Sequence, residues 1–74
     1  MTELPEQHLA IEVLKVAIGV YGIGAGEPFS LQSLMIQFDS RRADLYRGLQ
    51  YAGRQGWITE TFTLTEAGYA AASA

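Results

Sequence analysis

Four of the five lysine and arginine residues of this chain, Arg41, Arg42, Arg47 and Arg54, fall within the single stretch SRRADLYRGLQYAGRQG, from Ser40 to Gly56. Guanidinium groups donate paired N–H bonds to oxyanions, so arginines repeated along a helix face are the chemistry of phosphate and guanine-edge recognition. Turned by about 100° per residue, the stretch puts Leu45, Leu49, Ala52 and Gly56 on one seam, the pattern of a buried helix face. Ala43, Arg47, Gln50, Tyr51 and Arg54 fall on the other side and form the expected outward face. That face offers donors to an anion.

The ends of this helix are informative as well. Asp39 or Ser40 is placed to cap the N-terminus, and Gly56 to stop the helix in the left-handed conformation. Arg41 and Arg42 sit in the first turn, where the helix dipole costs a cation from a few tenths of a kcal/mol to ~1 kcal/mol. Either an anion bound at that end offsets the cost, or the pair is ordinary solvated surface. Arg54 lies in the last turn, where a cation complements the dipole. Asp44 stands three residues from both Arg41 and Arg47, and exposed pairs at that spacing are worth ~0.2 to 0.5 kcal/mol.

No other chemistry is organised. His8 is the only histidine and lies on a polar stripe with Glu12. Ser30, Ser33 and Ser40 read as caps or first-turn residues without a base aimed at them. The absence of cysteine removes thiol nucleophiles, thiolate metal sites and disulfides. No carboxylate pair has a spacing that argues for acid–base work. The chain is therefore expected to be no enzyme, with no catalytic residue, metal or cofactor. Gly22 to Gly26, GIGAG, lacks the preceding strand of a dinucleotide fingerprint and the Gly-Lys-Ser/Thr of a P-loop, so it reads as a flexible linker.

The other elements must position the arginine helix. With 74 residues, 49% of them hydrophobic and 18% charged, residues 1–74 form one small globular domain. A first helix is predicted from Pro5 to Tyr21, with Glu3 and Glu6 at the positive end of its dipole. Its apolar arc, which includes Leu9, Ala10, Val13, Leu14, Ala17 and Val20, is wider than one packing surface needs. Either helices cover it from both sides or it forms a homodimer interface. Phe29 is expected in a very short strand. Ser30 caps a second helix carrying Leu31, Leu34, Met35 and Phe38. After Gly56 the period becomes alternating, with Ile58, Glu60, Phe62 and Leu64 on one side, which predicts a short β-hairpin turning around Thr59 to Thr61. Thr65 caps a last helix from Glu66 to about Ala72.

The order helix, short strand, helix-turn-helix, hairpin and terminal helix resembles the winged-helix domain of small bacterial transcription regulators of the MarR and PadR kind. The residues that carry the likeness are Leu34, then Leu45, Leu49 and Ala52, then Gly56-Trp57-Ile58 and Leu64-Thr65-Glu66-Ala67-Gly68. The resemblance implies a mainly α fold with a small β-hairpin: a three-helix core, a short wing and a C-terminal helix. It also implies that the helix Ser40 to Gln55 is a recognition helix, with Ser40, Arg41, Arg42, Ala43, Asp44, Tyr46 and Arg47 facing the major groove, where Gln50 and Tyr51 would add flanking contacts.

The leading expectation is a dimeric, cytoplasmic transcription regulator that binds double-stranded DNA. The acidic N-terminus is unlike a secretory signal, and no apolar run reaches the ~20 residues of a membrane span. The formal net charge of −3 and the acidic Glu60 at the wing tip favour an alternative: a winged-helix interaction module that docks on an acidic protein partner and does not bind DNA.

Overall fold

A computed structural model of the chain describes residues 5–73. Its regular structure is mainly helical: α1 Pro5–Tyr21, α2 Leu31–Gln37, α3 Arg42–Arg54 and α4 Glu66–Ser73, with a 3-10 turn Asp39–Arg41 between α2 and α3. The helix expected from Pro5 to Tyr21 has those bounds; Glu3 lies outside the described residues. Ser30 caps α2 through its hydroxyl, which accepts the Ser33 N–H at 3.3 Å. Thr65 does the same for α4, accepting the Gly68 N–H at 3.1 Å while donating to the Gly56 carbonyl at 2.7 Å.

α1 is the helix on which the others pack. Ala10, Val13, Leu14 and Ala17 form its buried side. α3 and α4 each lie against it without a comparable contact between themselves, so they cover different parts of its circumference and part of the wide apolar arc; Val20 at its C-terminal end stays exposed. The core also takes in Leu34, Phe38, Leu45, Leu49, Ala52, Ile58, Leu64 and Ala72. Among the described residues it holds no buried polar or charged side chain. Gly48 marks the crossing of α3 over α1. A Cβ there would stand 2.8 Å from the Leu9 carbonyl oxygen and 3.0 Å from the Ala10 amide nitrogen. The mid-helix glycine costs about 0.5 to 1 kcal/mol in propensity and lets two backbones meet.

The expected β-hairpin does not form as paired strands. Among the described residues only two isolated antiparallel bridges occur, Ile58 with Leu64 and Pro28 with Thr63. The alternating pattern fails at Phe62, whose φ of 59° lies in the left-handed region and turns the chain out of extended register. The Phe62 N–H closes the turn on the Thr59 carbonyl at 3.0 Å. Residues 63–65 then pair on one side with residues 57–59, and residues 62–64 on the other with residues 27–29, through Phe29 N–H to Phe62 O at 2.9 Å and Leu64 N–H to Glu27 O at 3.0 Å. Glu27 and Phe29 make both of these bonds around the Pro28–Thr63 bridge, and the strand expected at Phe29 shrinks to that one bridge. A bulky residue at positive φ costs of order 1–3 kcal/mol. The edge-to-face stack of Phe62 on Phe29, centroids 5.7 Å apart, returns ~0.5 to 1.5 kcal/mol of it.

The glycine segment after α1 is also tied down rather than open. Gly24 N–H donates to Glu27 Oε1 at 2.6 Å, and Gly26 N–H to the Leu64 carbonyl at 2.7 Å. No helix among the described residues is long and apolar enough to cross a membrane.

Candidate nucleic-acid interface

The arginine helix begins later than its sequence suggests. Asp39, Ser40 and Arg41 form the 3-10 turn, and Arg41 occupies the N-cap position of α3 with no side-chain cap bond. Phe38, 3% exposed, sets this start: its carbonyl accepts the Arg41 N–H at 2.7 Å and tightens the chain. Neither Asp39 nor Ser40 supplies the expected cap. The other end is as expected, since Gly56 takes φ 75° just past the Gln55 C-cap.

Arg41 is committed to the protein itself. Its Nη1 and Nη2 donate to the two Glu12 carboxylate oxygens at 2.7 and 2.9 Å, and its Nε donates to Asp44 Oδ2 at 3.1 Å. The guanidinium also lies 5.5 Å from the Phe38 ring centroid. The compensation for a cation at this helix end is thus supplied internally for Arg41, by Glu12 and Asp44. The pair ties the start of α3 to α1, and Asp44 belongs to it rather than to the open face.

Hydrogen bonding to Arg41 holds the Glu12 carboxyl below its ordinary value, and Glu12 in turn raises the Arg41 guanidinium. A carboxyl whose pKa is lower in the folded chain stabilises it above the unfolded pKa, and that contribution is lost as pH falls through the lower folded value. Between about pH 6 and pH 3 wild type is therefore expected to lose more thermal stability than Glu12→Gln, by a small margin because both side chains are nearly half exposed. Equal losses in the two melting series would mean that the pair contributes nothing.

The outward side of α3 is continuous and open. Ser40 in the turn, then Arg42, Ala43, Tyr46, Arg47, Gln50 and Arg54, are exposed. Arg42 lies 3.9 Å from Asp39, and Arg47 lies 3.4 Å from Glu6 on α1, both as solvent-exposed pairs. The Tyr46 hydroxyl donates to Met35 Sδ at 3.9 Å. Tyr51 departs from expectation: it is half-buried, packs against the core and stacks edge-to-face on Trp57, centroids 5.6 Å apart. At 180° from Arg42 on the wheel it faces the flank of α3, where Trp57 folds back after Gly56.

One feature was not foreseen. An open groove of about 880 Å³ runs between α3 and the 58–62 turn, lined by Leu31, Tyr46, Leu49, Gln50, Gly53, Arg54, Ile58, Thr59, Glu60 and Phe62. The spacing of Tyr46, Leu49, Gln50 and Gly53 defines its α3 wall; the opposite wall depends on the conformation of Phe62.

No protein-family model, curated protein or solved structure matches the chain.

Proposed function

We propose that the chain is a winged-helix type DNA-binding domain, a transcription regulator that reads double-stranded DNA with the outward face of α3. One observation carries this reading. A helix whose inner face is buried and which is braced across α1 presents Arg42, Ala43, Tyr46, Arg47, Gln50 and Arg54 together to solvent, directly after a short turn from α2. Arg42 and Arg47 supply phosphate or guanine contacts, and Gln50 suits the paired donor and acceptor of an adenine edge. Arg41 braces the helix, and Tyr51 supports its flank.

The test is a residue-resolved NMR titration with a mixed-sequence duplex, at low and at physiological salt. Salt-sensitive shifts are expected on Arg42, Ala43, Tyr46, Arg47 and Gln50. Arg47→Ala should weaken binding and lower the salt slope by about 1 while leaving the melting temperature unchanged.

A second reading, a protein-interaction module that does not bind DNA, is favoured by the pairing of three of the arginines with carboxylates, which weakens phosphate binding. Arg41 pairs with Glu12 and Asp44, Arg42 lies near Asp39 and Arg47 near Glu6, and an apolar-walled groove lies beside them. No shifts with duplex at low salt would make this the better reading.

A further inference from the structure

Glu6 lies in the first turn of α1 yet reaches the outward side of α3. Its Oε1 accepts from Arg47 Nη2 at 3.4 Å, and Arg54 acts on the same carboxylate through space. This pair differs in kind from that of Glu12, which grips Arg41 through two short bonds. Glu6 and Arg47 meet through one long contact at the solvent edge, with side chains 36% and 52% exposed. Such a contact holds a side chain in place without fixing the fold.

We infer that Glu6 sets the affinity of the α3 face, as an internal stand-in for a backbone phosphate that occupies Arg47 and lowers binding to every duplex, so that arbitrary sequence is held weakly. The inference rests on the DNA-binding reading above. Affinity for arbitrary duplex comes from neutralising phosphates and releasing their counterions. Where Arg47 already has a carboxylate beside it, that gain is small. An arbitrary duplex must break the Glu6 to Arg47 pair and leave the Glu6 carboxylate facing phosphate. A matched site adds base-edge contacts to Gln50, Arg47 and Tyr46, and these depend on sequence. Glu6 therefore weakens all duplexes by a similar factor, and only sites with base contacts regain enough to bind.

The test measures binding of a labelled mixed-sequence duplex by wild type, Glu6→Gln, Arg47→Ala and the double variant, between about 50 and 200 mM salt. Glu6→Gln should bind about two- to fivefold tighter than wild type, the range that exposed ion pairs span, with a steeper salt slope by about 0.9 for the released arginine. In the Arg47→Ala background most of that gain should vanish, because the pair is already broken. An equal gain in both backgrounds would overturn the inference, since it would reflect only the loss of one negative charge. No gain while wild type binds would also overturn it, and either result leaves the DNA reading standing. Failure of all four proteins to bind at the lowest salt would overturn both.

Discussion

Gly68→Ala is expected to lower the melting temperature by about 10 °C or more. Gly68 is in the first turn of α4, and a Cβ built there would run into the carbonyl group of Trp57, with Leu64 Cδ1 at 3.0 Å behind it. The obstacle is backbone, which cannot swing aside as a side chain end can. Helix propensity favours alanine by ~0.8 to 1 kcal/mol. Overpacking of this kind costs ~1 to 3 kcal/mol and occasionally more. Moving α4 outward would also strain the bonds of Thr65, which caps α4 and holds the Gly56 carbonyl, and a lost cap costs ~0.5 to 2 kcal/mol. The balance is about 2 to 3 kcal/mol of destabilisation, and each kcal/mol is worth ~4 to 8 °C in a domain of this size. Gly53→Ala is the matched control: a Cβ there meets nothing within 4 Å, so the same change should be neutral or stabilising. If Gly68→Ala melted at or above wild type, α4 would not be seated on the Trp57 backbone.

These two glycines also mark what a linear reading can and cannot extract. The bounds of α1 and the cap of α4 were legible because their signals are local: Pro5 starts one helix, and Thr65 accepts a bond from its own third neighbour. The inner seam of α3 was legible because Leu45, Leu49 and Ala52 follow the helical period. The start of α3 was not, because Arg41 is held by Glu12, 29 residues away, and by the burial of Phe38. Gly48 had no local explanation for the same reason; its partner is the Leu9 backbone. The hairpin was overestimated because alternation at Ile58, Glu60, Phe62 and Leu64 describes side-chain chemistry, whereas the left-handed turn at Phe62 is held in part by Phe29. The arginine face was legible as a face. Which arginines stay available depended on the acids of α1, which a helical wheel of α3 alone does not contain.

Leu45→Ala is expected to cost about 2 to 5 kcal/mol, a large share of the roughly 4 to 11 kcal/mol available to a domain of this length. The upper half of that range applies, because Leu45 is 0% exposed and its surroundings have little freedom to collapse. On one side Arg41 pins the start of α3 to Glu12, and on the other the Gly48 backbone is already in contact with Leu9. Neither flank can move inward to fill the space. Leu49→Ala should cost less, because Leu49 is 8% exposed and borders the open groove, where rearrangement is easier. Urea denaturation at constant m would establish the order, and a greater cost at Leu49 would mean that the buried seam of α3 is centred elsewhere. The same variant separates fold from function. Below its lowered melting temperature, Leu45→Ala retains Arg42, Arg47 and Gln50 on an intact outward face and, on the proposed DNA-binding function, should bind duplex with the affinity of wild type. Arg47→Ala should do the reverse, keeping its stability and losing affinity, because its side chain contributes to the exposed face and nothing to the core.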